Sequence, residues 1–209
     1  QLPWAAPASA EELLGVVWHS SRDAIADYSC FIATCDRPDL LDRALASVCR
    51  QGSAANEIIV VNDGRTDLRI SSATVLRTGP YAGPAAARNA GVHAANSEFL
   101  AFLDDDDEWT PDHIESISRL LTESEVAATA FHRHTRSGKI EFREPPSALR
   151  ASDWFVENRG IQGSNLAVRR RAYLDLLGFD ELLWCGEDMD FAIRCADRAV
   201  GYAMSAILR

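Results

Sequence analysis

Short apolar runs alternate with segments of helical composition from residue 29 to residue 121, and this alternation constrains the fold most. The runs are SCFIAT at 29–34, EIIVV at 57–61, ATVLR at 73–77 and EFLAFL at 98–103. Each has the length of a buried strand. Segments that begin at Pro38, Pro84 and Pro111 have the composition of helices. This pattern predicts βαβ units, and therefore an α/β domain with a central, mostly parallel sheet flanked by helices.

The rest of the chain is less regular. We interpret the Ala-rich residues 1–28 as an N-terminal appendage with a helix around Glu11 to Trp18. The pattern loosens over 132–163, which contains strand fragments that we do not organise into elements. A strand at 165–168 and helices near 171–177 and from Glu187 are expected to follow. With 209 residues, the chain has the length of one domain with a real core.

Charge and cysteine content exclude several classes of protein. The net charge of −10 argues against a nucleic-acid partner, since such proteins usually carry a basic face. No apolar stretch approaches the roughly 18 residues that span a bilayer, and residues 1–28 lack the charged-then-apolar order of a signal peptide. The five cysteines are odd in number and form no Cys-x-x-Cys pair. We expect buried free thiols in a reducing cytoplasm.

Polar motifs follow three of the predicted strands. TCDR ends the first strand, NDGRTD the second and DDDDEW the fourth. The carboxyl ends of parallel strands meet at one sheet edge, where ligands of open α/β sheets bind. Two carboxylates about 4 Å apart repel by about 1 kcal/mol in water and about 4 kcal/mol at an effective dielectric of about 20. The acid run is therefore either fully solvated or neutralised by something positive.

Taken alone, each motif also has a purely structural interpretation. Asn62-Asp63-Gly64 is a good turn sequence, and an acidic run after a strand is often a solvated loop. Glu187 and Asp188 could cap a helix, whose N-terminal dipole favours carboxylates. His132 and His134 could line one face of a strand as metal ligands, but no third ligand has suitable spacing.

Five motifs in chain order resemble the inverting family-2 glycosyltransferases of GT-A fold. They are IATCDRPDLLDRALASV, EIIVVNDGRTD, GPAAARNAG, FLAFLDDDDEWTPD and GFDELLWCGEDMDFAIR. The resemblance implies a single Rossmann-like GT-A domain over 29–209, with a nucleotide-sugar half at 29–110 and an acceptor half at 111–209. It also implies transfer from a nucleotide diphosphate sugar, first of all a UDP-sugar, to a hydroxyl of a saccharide or lipid-linked acceptor. The setting implied is polysaccharide or glycoconjugate synthesis in the cytoplasm, including peripheral contact at the inner face of the membrane.

Motif positions in the resemblance imply the residue roles. Asp188 would be the general base, and Asp106, with Asp104, would hold Mn²⁺ or Mg²⁺. Such an ion neutralises carboxylates and acts as a Lewis acid on a leaving diphosphate, and hard oxygen ligands suit it. Donor contacts would come from Thr34, Asp36, Arg37, Asp63, Arg88, Asp104 and Asp105. Acceptor contacts would come from Trp184, by stacking on a sugar face, from Glu187 and from the 132–163 region.

Three departures from the family pattern lie on the donor side. The first loop usually reads Thr-Tyr-Asn-Arg, the second Asp-Asp-Gly-Ser, and an asparagine is common where Tyr81 stands. The nucleotide and the sugar therefore stay open.

A sugar nucleotidyltransferase is an alternative function, but the first strand is not followed by a glycine-rich loop with a basic residue. A non-catalytic module of a larger polypeptide is another alternative. The departures from the family pattern at Asn62 and Arg65 favour it, whereas the retained Asp106 and Asp188 argue against it.

Overall fold

The structure is a computed structural model that describes residues 27–135, 137–152, 160–198 and 200–205. Within these ranges the strands are β1 (Tyr28–Thr34), β2 (Glu57–Asn62), β3 (Thr74–Arg77), β4 (Phe99–Asp104), β5 (Val126–Thr129), β6 (Phe131–His134), β7 (Ile140–Arg143), β8 (Leu166–Arg169) and β9 (Tyr202–Ser205). The α-helices are α1 (Pro38–Cys49), α2 (Pro84–Ala94), α3 (His113–Leu121), α4 (Arg170–Asp175) and α5 (Glu187–Asp197). The predicted helix around Glu11 to Trp18 lies outside the described residues.

Seven of these strands form one sheet in the order β3-β2-β1-β4-β8-β5-β9. β1 pairs in parallel with both β2 and β4, and β2 pairs in parallel with β3. β8 runs antiparallel to its neighbours β4 and β5, and β5 pairs in parallel with β9. The predicted α/β class with a mostly parallel sheet is confirmed.

Alternate side chains of the central strands enter two separate hydrophobic clusters, one on each face of the sheet. In β1, Phe31 belongs to the cluster that also contains residues of α2, α4 and α5. Its neighbour Ile32 belongs to the cluster under α1 and α3. In β4, Phe102 and Leu103 divide in the same way. Because successive strand side chains point to opposite faces, a strand covered on both sides is apolar throughout.

The structure corrects and completes the sequence analysis in two places. The unassigned 132–163 region contains a two-stranded antiparallel sheet of β6 and β7, in which His132 pairs with Phe142. All five cysteines lie in the described ranges and are free, but only Cys30 and Cys195 are buried. Cys49 and Cys185 are exposed, so the expectation of buried thiols is wrong for them. Among the described residues no helix is long and apolar enough to cross a membrane.

Candidate active site

The three polar motifs meet at one edge of the sheet. Thr34 stands opposite Asn62, and Ala33 opposite Asp104, so the ends of β1, β2 and β4 are aligned. The Thr34 hydroxyl donates to Asp105 Oδ2 at 2.6 Å, and the Asp63 amide donates to the Thr34 carbonyl at 2.8 Å. The predicted convergence of the motifs is confirmed. It follows from the parallel register, since adjacent strands end at the same level.

The acids that follow β4 lie in different environments. Their hydrogen-bond and ion-pair partners explain how the chain holds several carboxylates close together. The Asp105 side chain is fully buried and receives Arg37 Nε at 3.1 Å as well as the Thr34 hydroxyl. Burial raises the pKa of Asp105, and Arg37 and Thr34 oppose that rise. Asp106 is half exposed, with Oδ2 3.2 Å from Arg37 Nη1. Asp107 receives the Ser164 hydroxyl at 2.5 Å. Side chains of the protein itself therefore neutralise part of the run.

Arg88 of α2 joins the acid run to the start of α5. Its guanidinium donates to Asp104 Oδ1 at 2.5 Å and to Glu187 Oε1, and its side chain is only 6% exposed. The guanidinium carbon lies 5.5 Å from the centre of the Phe179 ring. Burial disfavours the charged guanidinium, but the two carboxylates outweigh it and raise the pKa of Arg88. Arg88 is thus a permanent cation between two acids that are far apart in sequence.

Asp188 lies in the first turn of α5, next to that ion pair. Burial, and then repulsion from Glu187, raise the pKa of Asp188 to about 6, although the Met189 amide donates to its Oδ1 at 2.7 Å. A helix N-terminus lowers the basicity of a carboxylate, but here burial outweighs that effect. Asp190 is engaged elsewhere, by Arg194 at 2.7 Å. Asp188 therefore has a pKa that suits proton transfer near neutral pH.

Asp63 and Asp36, both predicted donor contacts, bind groups of the chain itself. Asp63 is buried and accepts from the Thr78 hydroxyl and from the amides of Ala82 and Gly83, at 2.6 to 2.9 Å. Its carboxylate therefore orders the loop between β3 and α2. Whether it also contacts a nucleotide base stays a prediction.

Asp36 connects the first motif, TCDR, to the second motif, NDGRTD, by hydrogen bonds. Its Oδ1 accepts from the Arg65 and Thr66 amides and from the Thr66 hydroxyl, each at 2.8 Å. These bonds, the Thr66 amide foremost, lower the pKa of Asp36. A Cβ on Gly64 would lie 2.5 Å from Asp36 Oδ1, so this approach requires glycine. The glycine of the NDG turn was the sequence signal for this contact.

The predicted acceptor contacts lie in contrasting environments. Glu187 is buried and paired with Arg88, so its carboxylate is already occupied. Trp184 is 75% exposed and belongs to a surface that also exposes Leu182. Stacking of Trp184 on a sugar therefore stays a prediction.

The sequence did not lead us to predict two features of the site. One is the turn at residues 163–165, and the other is the binding of the loop before α5 by Asn89 of the AARN motif. Ser164 Oγ accepts from the Asp104 amide at 3.0 Å, and the Ser164 carbonyl accepts from Trp109 Nε1 at 2.8 Å. Asn89 Oδ1 accepts from the Tyr173 hydroxyl at 2.5 Å and from the Phe179 amide at 3.0 Å. Asn89 thereby fixes the loop before α5. The polar sequence QGSN at 162–165 was the available signal for the turn, but its partners are distant in sequence.

The acid run fits a divalent cation that arrives with a phosphate ligand. Among the described residues, no three His, Cys, Asp or Glu side chains are grouped so that they could hold an ion. Mg²⁺ is usually held by one or two carboxylates plus substrate phosphates, not by an all-protein cage. Asp106 offers a half-exposed carboxylate, whereas Arg88 occupies Asp104. Of the two predicted ligands, Asp106 has the better fit.

Known proteins resemble this chain in sequence and in fold. It is 33% identical to the succinoglycan biosynthesis protein ExoW of Rhizobium meliloti (strain 1021) over 146 residues, which cover 60% of this chain and 46% of ExoW. It is 28% identical to ExoU of the same organism over 204 residues, covering 86% of this chain and 59% of ExoU. This chain therefore spans about half the length of these curated relatives.

Solved structures of S. aureus TarS share the fold. The crystal structure of TarS has a TM-score of 0.68 and 19% identity, covering 87% of this chain and 35% of that one. TarS 1–349 in complex with UDP has a TM-score of 0.63 and 19% identity, covering 85% and 60%. The family model described as "Glycosyl transferase family 2" matches residues 29–177. The chain belongs to glycosyl transferase family 2, and it has the GT-A fold of its structural neighbours.

Proposed function

We propose that this chain is the catalytic domain of an inverting glycosyltransferase of polysaccharide synthesis. It transfers a sugar from a nucleotide diphosphate sugar to an acceptor hydroxyl, with residues 29–110 as the donor half and 111–209 as the acceptor half. A UDP-sugar is the first candidate donor, because the related fold of TarS 1–349 has been crystallised with UDP. The proposal includes action in the cytoplasm or at the inner face of the membrane. The two succinoglycan biosynthesis relatives support the polysaccharide setting.

The observation that carries the proposal is the Arg88 bridge between Asp104 and Glu187. It links the acid run, where the family places the donor diphosphate, to the helix that begins with Glu187 and Asp188. A glycosyl transfer with inversion needs the base and the leaving group on opposite faces of the sugar. The bridge fixes the first turn of α5, which carries the proposed base Asp188, relative to the acid run at which the diphosphate would leave.

The donor is expected to lie along the loops after β1 and β2. Asp36 and Asp63 hold these loops in one conformation through hydrogen bonds to their backbone amides. Such preorganisation avoids part of the ordering cost of binding. Arg37 is half exposed, and its Nη1 faces Asp106, so this nitrogen can donate to a diphosphate oxygen while Nε stays bonded to Asp105 and Asp106 serves a cation. A divalent cation bound there would stabilise the negative charge of the leaving diphosphate.

Asp188 accepts the proton of the acceptor hydroxyl in the proposed reaction. An ordinary aspartate is too weak a base for this task, but burial raises the pKa of Asp188 to about 6. The neighbouring Glu187 carboxylate, which pairs with Arg88, adds repulsion that raises the pKa of Asp188. The carboxylate is thus ionised at neutral pH and still basic enough to take a proton.

Replacement of Asp188 by asparagine tests the mechanism. Asp188→Asn should lower turnover by about 10²-fold or more, because general-base help of that size is lost. Donor affinity should stay unchanged. The matched control is Asp190→Asn in the same helix turn, which removes an equal charge that is paired with Arg194. Turnover would be measured as nucleoside diphosphate release from a panel of nucleotide sugars with Mn²⁺ and simple saccharide acceptors, and the anomeric configuration of the product by NMR.

The pH dependence provides a second check. Since the ionised form is the active one, wild-type turnover should fall as pH drops through about 6 and reach a plateau above it. Burial of the ionised form destabilises the fold above that pKa, so Asp188→Asn should be more stable than wild type at pH 8. Below the unfolded-state pKa of about 3.9, this difference should vanish. A retained anomeric configuration, or normal turnover by Asp188→Asn, would contradict the proposed mechanism.

A further inference from the structure

A cavity of about 770 Å³ lies next to the acid run, between the start of α3, the end of β5 and the β6–β7 hairpin. Small-molecule sites typically measure about 300–1,000 Å³. Of the described residues, Asp106 and Asp107 line the cavity, whereas Asp188 does not. The cavity therefore adjoins the acid run but is not lined by the proposed base. It has room for a part of the acceptor beyond the sugar that reacts.

Two residues that line the cavity have buried polar atoms that lack partners among the described residues. They are Thr110 Oγ1 and His113 Nε2. The His113 ring stacks on Trp109 with 4.6 Å between ring centres, and its Nδ1 lies 3.5 Å from Thr129 Oγ1. Burial lowers the pKa of His113 to about 3, so the imidazole is neutral. A buried polar atom without a partner costs free energy. Hydroxyl groups can satisfy both atoms, because they donate and accept hydrogen bonds.

The hairpin side of the cavity rim carries one permanent cation, Arg133. It lies on β6 between His132 and His134, which are exposed and also line the cavity. On the other side, Asp107 already accepts from Ser164 and Glu108 from Arg43. Arg133 forms no ion pair with any residue in the described part of the chain. The acids of the cavity therefore have partners within the protein. Arg133 acts on Asp107 through its charge, which opposes the rise in the pKa of Asp107, but it forms no ion pair there, so its guanidinium can still donate to a ligand.

An exposed arginine without an ion pair stands out at a cavity of a chain of net charge −10, which as a whole repels anions. Guanidinium groups bind carboxylate and phosphate oxygens with two parallel hydrogen bonds. We propose that this cavity binds the acceptor saccharide through a unit that carries an anionic group, with Arg133 as the residue that selects for the charge. Thr110 and His113 then bind hydroxyl groups of the same unit. This inference rests on the proposed function, because it takes the ligand to be a glycosyl acceptor.

Binding of three defined probes tests the inference directly. The probes are glucuronosyl-glucose, its neutral twin cellobiose, and a dodecyl diphosphate glucoside. Affinities of the whole chain would be measured by ligand-observed NMR and calorimetry. We expect at least one anionic probe to bind about tenfold or more tighter than cellobiose, as a charged hydrogen-bond pair allows. The tighter of the two anionic probes shows whether the charge belongs to a sugar carboxylate or to a diphosphate. Equal affinity for all three probes would overturn the proposal.

Two arginines of the same hairpin supply a matched pair of variants. Arg133→Gln removes a cation from the cavity rim, and Arg143→Gln removes one that is exposed, paired with Glu141 and outside the lining. Arg133→Gln should abolish the preference for the anionic probe, while Arg143→Gln should keep it. An equal loss in both variants would mean unspecific attraction to the hairpin and would refute a site at Arg133.

A second substitution examines one of the two buried polar atoms of the cavity lining, and a donor assay separates the two proposals. Thr110→Val keeps the shape of the side chain and should weaken the charged and the neutral probe alike, whereas unchanged binding would exclude Thr110 from the site. UDP binding in the presence of Mn²⁺ should be the same in wild type and Arg133→Gln. If UDP binds and no anionic probe does, the inference fails while the proposed function stands. If the probe binds and neither UDP nor another nucleoside diphosphate does, the proposed function fails.

Discussion

Arg37 and Arg88 form the same kind of ion-pair bridge in two different environments. Each guanidinium bridges two carboxylates, and each contacts the acid run after β4. The Arg88 side chain is 6% exposed and that of Arg37 46%. The partners of Arg88 are both largely shielded from water, whereas Arg37 has one fully buried partner, Asp105, and one half-exposed partner, Asp106.

The difference between the two bridges shows which charges the protein holds in place and which it can exchange. Removing one partner of a buried pair leaves an uncompensated charge, whereas exposed pairs contribute little to stability. Arg88 therefore acts as an internal cation that pairs with Asp104 and Glu187 and holds them in position. The exposed bond between Arg37 and Asp106 is weak enough for an incoming cation or diphosphate to replace it. The part of the acid run that a ligand can use is the part that water reaches.

The largest expected effect comes from breaking the buried bridge. Arg88→Met should lower the free energy of unfolding by about 3–5 kcal/mol, because Glu187 and Asp104 lose their cation. Arg37→Met should cost less, since its pair with Asp106 lies in water, although the fully buried Asp105 also loses its cation. Urea denaturation of both variants at pH 7.5 measures the contrast. The double variant Arg88→Met/Glu187→Gln should recover part of the loss. An equal loss of unfolding free energy in the two variants would show that the buried and the exposed bridge stabilise the fold alike.

A smaller perturbation displaces Arg88 without removing its charge. A Cβ on Gly163 would lie 2.7 Å from Arg88 Nη2 and 3.1 Å from Cζ, so Gly163→Ala must push the guanidinium from its place. We expect a loss of about 1–3 kcal/mol from overpacking. The apparent pKa in the turnover–pH profile should also shift, since Arg88 lowers the pKa of Asp188.

Gly79→Ala is the matched control, because a Cβ at that position would meet no atom of the described residues within 4 Å beyond its chain neighbours. That substitution should be neutral or should stabilise the chain by up to about 1 kcal/mol through the unfolded state. A Gly163→Ala protein as stable as Gly79→Ala, with an unshifted pH profile, would show that Arg88 has room to move.

The smallest effect on stability is expected at the exposed bridge, together with a large effect on function. Asp106→Asn should change the free energy of unfolding by less than about 1 kcal/mol, because its partner Arg37 is exposed and keeps Asp105. The thermal stabilisation by UDP with Mn²⁺ should be lost in this variant and, in wild type, on addition of EDTA. Glu108→Gln, which removes another half-exposed acid of the run, is the control. Full activity in EDTA would exclude the metal role.

The sequence by itself determined the layers of the fold and the edge at which the site lies. Runs such as EIIVV are apolar at consecutive positions, so they predict strands covered on both faces, and the polar residues after them mark the strand ends. These are local patterns, which can be read within a few residues. They were sufficient to predict β1, β2 and β4 and the meeting of Thr34, Asn62 and Asp104 at the ends of those strands.

Only the tertiary structure decided which charges are paired, and therefore what each acid can do. Arg88 and Glu187 are 99 positions apart, and no local pattern indicates that they touch. Their contact depends on how α5 packs beside α2 on one face of the sheet. The β6–β7 hairpin was missed for the same reason, since short polar strands lack a periodic apolar signal. A pKa depends on burial and on neighbouring charges, and both arise from residues that meet only when the chain has folded.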